Sequence, residues 1–146
     1  MAGFDFFNSF IQMDVELSQE LTGPYYSISD SILPSASALG NGALLWILLA
    51  LTLCLKSQTR RAGLAVLIAL IMSFLITNLT LKPLFDRLRP CAFERWCPKD
   101  PSFPSGHTSS SFAAASAVWF LKDLRLVGLA LLMFFVAAAI AYSRVF

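Results

Sequence analysis

Residues 82–107 read KPLFDRLRPCAFERWCPKDPSFPSGH and separate two strongly apolar segments of the chain. The stretch contains basic side chains at positions 82, 87, 89, 95 and 99, and it ends with His107, the only histidine in the sequence. Charged groups at a membrane boundary are costly unless a partner offsets the lost hydration. A positive cluster with a titratable imidazole between apolar segments therefore indicates a functional site.

The composition predicts an integral membrane protein. The chain has 146 residues, enough for a single domain over residues 1–146, and 57% of them are hydrophobic while 14% are charged. Soluble domains are about 45–50% apolar, so this chain has too few polar side chains to cover a soluble fold. No basic segment precedes an apolar core at the start, and we expect no cleaved signal peptide. We predict an all-α polytopic membrane helix bundle.

Apolar segments of about the 20 residues that cross a bilayer predict four transmembrane helices. Small residues between 35 and 42 favour close helix contacts, while Asn78 and Thr80 are polar, as expected where a helix approaches a wet site. Near-helical spacing of apolar residues over 2–21 predicts an amphipathic helix in the membrane interface. The predicted spans are residues 35–55, 62–81, 104–121 and 126–143, with an active-site loop over 82–107.

Loop charges and crossing parity predict the orientation. The turns at 56–61 and 122–125 lie two crossings apart on the same side, and both are basic, which makes that side cytoplasmic. The loop over 82–107 then faces outward. From His107 one span crosses the membrane and the next returns, so Arg144 comes back to the face of the loop.

Lys82 and Arg89 suit a phosphate ligand. The planar guanidinium of arginine matches phosphate oxygens and the lysine ammonium acts as a point charge, while the prolines at 83 and 90 stiffen the backbone beside each of them. A single Lys or Arg at a helix end more often anchors the helix by reaching into the interface. That alternative stays open for each residue taken alone.

Pro104-Ser105-Gly106-His107 is typical of a helix start. Proline suits the first turn and a serine can cap it. Gly106 lets backbone N–H groups approach a ligand, and a helix N-terminus binds anions. His107 can exchange a proton near neutral pH, so the pattern suits binding a phosphoryl group and protonating its leaving oxygen. A helix cap with an incidental histidine is the alternative.

Together the segments resemble the type 2 phosphatidic acid phosphatase superfamily, which includes bacterial membrane lipid phosphatases and vanadium haloperoxidases. The family signature is Lys, six residues, Arg-Pro; then Pro-Ser-Gly-His; then Ser-Arg, five residues, His, three residues, Asp. Lys82 to Pro90 fits the first part, Pro104 to His107 fits the second, and Ser143-Arg144 begins the third. The resemblance implies a metal-independent phosphatase that needs no cofactor.

The resemblance also implies roles for the matching residues. Ser105 and the Gly106 amide would stabilise the transition state, and His107 would be the general acid. Three basic side chains would bind the phosphoryl oxygens: Lys82, Arg89 and Arg144.

The family's nucleophile is the histidine of the third part, which forms a phosphohistidine. Its spacing places it beyond Phe146, so we expect a chain truncated within the third motif that does not turn over by itself. A lipid phosphotransferase would use the same site with another acceptor. The alternative from another class is a non-catalytic membrane protein that binds lipid phosphates or a partner.

Cys91 and Cys97 bracket a short segment of the loop. An outward-facing loop favours a disulfide between them, and two free thiols are the alternative. A single histidine and the lack of a second cysteine pair argue against a zinc site.

The location of the site predicts its partners. A phosphate site at a bilayer surface favours a membrane lipid phosphate substrate and the lipid bilayer as partners, and no nucleic acid. The resemblance suggests undecaprenyl diphosphate, phosphatidic acid or phosphatidylglycerophosphate, and an outward site favours the first. It also implies a bacterial inner membrane with the site facing the periplasm or exterior.

Overall fold

The computed structural model describes residues 42–86 and 101–142, together with positions 12, 13 and 16. Residues 42–86 and 101–142 form four helices and no strand, which confirms the all-α fold class. Positions 12, 13 and 16 are helical and exposed, while the rest of the predicted interfacial helix over 2–21 lies outside the described residues and stays a prediction. The helices are α1 (Gly42–Leu55), α2 (Arg60–Phe85), α3 (Gly106–Trp119) and α4 (Val127–Tyr142).

Helix α2 extends beyond both ends of the predicted span 62–81, whereas the other three helices lie inside their predicted spans. Helix α2 ends at Phe85 and is capped by Asp86, whose backbone is left-handed with a φ of 37°. Aspartate adopts this conformation more readily than most residues, and the Asp86 N–H closes the last turn by donating to the Lys82 carbonyl at 2.9 Å. Lys82, predicted to begin a loop, is therefore fixed in the last turn of a helix.

Helices α1 and α2 approach each other closely after a short turn. Thr59 holds the turn, because its Oγ1 donates to the carbonyl of Leu53 at 2.7 Å. Beyond it the helices meet at Gly63, where an added Cβ atom would lie 2.5 Å from the carbonyl oxygen of Ala50. Most of the small residues predicted for such a contact, between 35 and 42, lie outside the described residues.

Helix α3 lies at the centre and packs against the other three helices. Its buried face is built from small side chains, Ala114, Ala115 and Val118 among them. Trp46 of α1 is 2% exposed, and its Nε1–H donates to the buried Oγ of Ser111 at 2.9 Å. Because an unpaired buried N–H would destabilise the core, this hydrogen bond fixes α1 against α3.

Helix α4 packs along α3 after a connection over residues 120–126, and short connections join antiparallel neighbours. Phe134 of α4 contacts two aromatic rings of α3, with ring centroids 6.2 Å from Phe112 and 6.3 Å from Trp119. Helix α4 therefore returns toward the end of the bundle where α3 begins, and it ends at Tyr142.

Within the described residues, α2 is the one helix long and apolar enough to cross a membrane. It has 26 residues, and 22% of its most apolar window is buried inside the protein, whereas the core helix of a soluble protein is mostly buried. Helices α1 and α4 are apolar but shorter. Several large apolar side chains on α2 and α4 are more than half exposed: Ile68, Ile71, Leu131, Leu132 and Phe135.

Candidate functional site

Four of the predicted site residues lie within the described part of the chain. Lys82 is in the last turn of α2, and Ser105, Gly106 and His107 open α3. The side chains of Lys82 and His107 are half-buried. The other predicted residues lie outside the described residues, and their placement stays a prediction: Arg89, Cys91, Cys97 and Arg144.

Three hydroxyl groups fix α2 against α3 one turn from the start of α3. Ser109 Oγ lies 2.8 Å from Ser73 Oγ and 2.7 Å from Thr77 Oγ1. Ser73 and Thr77 are buried, and a buried hydroxyl without a partner would destabilise the packing. These hydrogen bonds therefore specify which residues of the two helices face each other.

Two further contacts continue this register. A Cβ atom added to Gly106 would lie 3.4 Å from Oδ1 of Asn78, and the rings of Phe85 and Phe103 meet edge to face with centroids 5.2 Å apart. Residue numbers rise along α2 as those of its partners fall along α3, as antiparallel neighbours require. Because Lys82 lies between Asn78 and Phe85, the register places Lys82 beside the first turn of α3.

The π-helical segment Leu75–Leu81 turns Lys82 toward α3. A regular α-helix rotates by ~100° per residue, so Lys82 would lie on the opposite side of α2 from Ser73. A π-helix holds more residues in each turn because its hydrogen bonds span five residues, and the Lys82 N–H donates to the carbonyl of Thr77. The smaller rotation per residue brings Lys82 back toward the face that carries Ser73. Pro83 follows, and its missing N–H removes one bond of a regular α-helix.

Ser105 caps the start of α3. Its backbone is extended, with φ −70° and ψ 116°, and its Oγ accepts from the Thr108 N–H at 3.4 Å and from the Thr108 hydroxyl at 3.2 Å. The Gly106 N–H lies in the first turn, where backbone donors have no carbonyl partner within the helix. The helix dipole adds a positive potential at the same place. An anion there would be stabilised by the free N–H groups and by the dipole.

His107 is held through its backbone carbonyl. The hydroxyls of Ser110 and Ser111 donate to that carbonyl at 3.1 Å and 2.7 Å. Since Ser111 also accepts from Trp46, a continuous chain of hydrogen bonds runs from α1 to the second residue of α3. These hydrogen bonds fix the backbone of His107 in the first turn of α3.

The polar groups gathered at this end of the bundle suit an anion. They comprise an ammonium, an imidazole, an amide and the N-terminus of a helix. Among residues 42–86 and 101–142, no group of three His, Cys, Asp or Glu side chains is placed to hold a metal ion. A phosphoryl group matches the Lys82 charge and the Gly106 N–H, and His107 adds a group that exchanges protons near neutral pH.

The part of the chain that builds this site matches a known family. The sequence model of a protein family, the PAP2 superfamily, matches residues 62–146, which include Lys82 and the start of α3. The chain belongs to the PAP2 superfamily. No curated protein and no solved structure matches it. PAP2 is a phosphatase-type superfamily, and the match confirms the family resemblance that the signature indicated.

Two features of the candidate site escaped prediction from the sequence. Ser73 and Thr77 belong to no motif, although two hydroxyl residues four apart on an apolar helix are a signal for a polar contact between helices. The π-helical winding before Pro83 also carries no residue pattern of its own. Asn78 was predicted to lie near a wet site, and the structure adds its neighbour, Gly106.

Proposed function

We propose that this PAP2 chain binds the phosphoryl group of a membrane lipid phosphate as part of a metal-independent phosphatase. The register of α2 against α3, which holds Lys82 beside the capped start of α3, carries the proposal. Lys82 would place a positive charge, and the Gly106 N–H would donate a hydrogen bond, at the phosphoryl oxygens. Arg89 and Arg144, which lie outside the described residues, would complete the set of ligands according to the family signature.

His107 would act as the general acid. As the bond between phosphorus and the leaving oxygen breaks, the protonated imidazole would give its proton to that oxygen. A lipid monophosphate would then leave as a neutral alcohol, and a lipid diphosphate would leave as the lipid monophosphate. The phosphoryl group would pass to the histidine of the third motif, and water would then release phosphate from that phosphohistidine. Because His107 is the only histidine among the 146 residues, the nucleophile is not among them.

The exposed apolar faces of α2 and α4 support a lipid substrate. A phosphate site at the end of a membrane helix suits a head group whose tails remain in the bilayer. A non-catalytic membrane protein that binds lipid phosphates is the second candidate, since Lys82 and the start of α3 would suffice for binding alone.

The charge distribution supports an outward-facing site. At the opposite end of the bundle, the turns after α1 and α3 carry basic residues, and such turns stay in the cytoplasm. The site would then face the periplasm or exterior of a bacterial inner membrane, which favours undecaprenyl diphosphate over phosphatidic acid and phosphatidylglycerophosphate. The exposed basic residues at that end are Lys56, Arg60, Arg61, Lys122 and Arg125.

Binding of a short-chain phosphatidic acid tests the proposal. We expect the purified chain in detergent micelles to bind this lipid saturably in isothermal titration calorimetry, and orthovanadate to displace it because vanadate presents similar charged oxygens. Diacylglycerol with the same acyl chains is the matched control, since it lacks only the phosphate. Equal affinity for the two lipids would contradict a phosphoryl site.

Release of inorganic phosphate separates catalysis from binding. We expect the 146 residues to bind phosphatidic acid without hydrolysing it, because the nucleophilic histidine of the family is not among them. A colorimetric phosphate assay in the presence of a metal chelator measures this. Release that is abolished by His107→Ala would show that the missing histidine is dispensable.

A further inference from the structure

Asn78 occupies a position that the family signature does not include. It lies four residues before Lys82 in the π-helical segment of α2. A Cβ atom on Gly106 would lie 3.4 Å from its Oδ1 and 3.7 Å from its Nδ2. The Asn78 amide therefore lies next to Gly106 at the start of α3.

The Asn78 amide is open to a ligand. Within the described residues its side chain forms no hydrogen bond, and every fully buried side-chain nitrogen or oxygen there has a partner. The half-buried Asn78 amide must therefore reach space that solvent or a ligand can enter. Partial burial of an amide is unfavourable unless a hydrogen bond replaces its lost hydration, so a ligand acceptor at this place would be stabilised.

The winding of α2 brings Asn78 and Lys82 to similar angular positions around the helix axis. The neighbouring residue, Thr77, forms a hydrogen bond with Ser109 of α3. Asn78 contacts Gly106, which lies one turn before Ser109 in α3. Lys82 follows at the next turn of α2. Asn78 and Lys82 thus border the first turn of α3 from the same side.

We propose that Asn78 is a phosphate-binding residue of this site, its side-chain N–H donating a hydrogen bond to a phosphoryl oxygen held at the start of α3. The inference rests on the proposed function. It adds a neutral donor to the cationic ligands of the family signature. A neutral donor beside a lysine strengthens phosphate binding without adding another charge that must be desolvated near the membrane.

The side-chain amide signal of Asn78 tests the inference in the unaltered protein. The sequence contains three asparagines, Asn8, Asn41 and Asn78, so selective 15N-asparagine labelling gives three side-chain NH2 pairs. Asn8→Asp and Asn41→Asp variants assign the other two by loss of signal. On titration with inorganic phosphate we expect the Asn78 pair to shift and saturate together with the backbone amide of Gly106.

A matched pair of substitutions gives the second measurement. Asn78→Asp keeps the shape but replaces a donor by a negative acceptor, and we expect it to weaken phosphate affinity by about tenfold or more. The control is Thr80→Val in the same π-helical segment, because the exposed Thr80 hydroxyl donates to its own helix, at the Leu75 carbonyl 3.3 Å away. We expect Thr80→Val to bind phosphate like the wild type.

The outcomes separate this inference from the function on which it rests. If phosphate shifts the Gly106 amide and leaves the Asn78 side-chain pair unmoved, Asn78 is not a ligand, while the phosphate site stands. If neither signal moves, the phosphate site itself is wrong. Should Asn78→Asp fail to fold, the titration of the wild-type protein still decides between these results.

Discussion

Replacing Lys82 by methionine is expected to weaken the binding of inorganic phosphate and of phosphatidic acid by about 10- to 100-fold, the loss expected for one hydrogen bond to a charged group. Methionine keeps the length and the apolar stem of the half-buried side chain. The change therefore removes the charge and the donors while the packing at the end of α2 is retained. Isothermal titration calorimetry in detergent micelles measures the affinity.

Lys56→Met is the matched control for Lys82→Met. Lys56 is exposed in the turn between α1 and α2, at the end of α2 opposite Lys82. Both variants lower the net charge by one, so a general loss of attraction for anions would affect them equally. Weakening by Lys56→Met as large as that by Lys82→Met would show that the charge acts from a distance and not as a ligand.

Replacing Gly63 by alanine is expected to destabilise the bundle by about 1–3 kcal/mol or more, the range found for overpacked cores. An added Cβ atom would lie 2.5 Å from the Ala50 carbonyl oxygen and 2.9 Å from the Cys54 backbone nitrogen. Backbone atoms cannot rotate away, so α1 and α2 must separate. Thermal unfolding followed by circular dichroism should therefore show a clearly lower melting temperature.

Gly128→Ala isolates the steric part of that effect. Gly128 lies in α4, and a Cβ atom there would meet nothing within 4 Å. Alanine is favoured over glycine in a helix by about 0.5–1 kcal/mol, so this variant is expected to melt at the same or a higher temperature. Gly63→Ala gains the same helix preference, so any difference between the two variants reports the steric effect. Equal melting temperatures of the two variants would contradict close contact between α1 and α2.

The sequence was sufficient to predict the helical fold and the start of α3. Long apolar segments favour helices, because a helix satisfies its backbone hydrogen bonds within the segment. Pro104-Ser105 marks the start of α3 because proline and serine have strong positional preferences there. The order of the motifs led to the family, which the match over residues 62–146 confirms.

The sequence could not predict how α2 presents Lys82. Proline at 83 indicates an interruption of the helix, but it does not specify whether the preceding turns widen or the helix ends. The sequence therefore predicted a loop from Lys82 onward, whereas the structure continues the helix to Phe85 through a π-helical segment. The rotation of Lys82 depends on that winding.

The contacts between helices could not be predicted from the sequence either. Ser73, Thr77 and Ser109 are ordinary polar residues in apolar segments, and their common hydrogen-bonded cluster exists only once α2 and α3 are paired. Glycine at 63 gave no signal of its own, because a small residue in an apolar helix has many potential partners. The packing of the helices decides which partner Gly63 contacts, and the residues around position 63 do not indicate that partner.

The most direct test of the phosphate site is the response of the Gly106 backbone amide to inorganic phosphate. Selective 15N-glycine labelling gives seven backbone signals, with Gly63 and Gly128 as internal references away from the site. The account predicts a saturable shift at Gly106 that is larger than at either reference and is strongly reduced in Lys82→Met. A Gly106 shift no larger than that of Gly63, or one unchanged by Lys82→Met, would contradict a phosphate site between α2 and the start of α3.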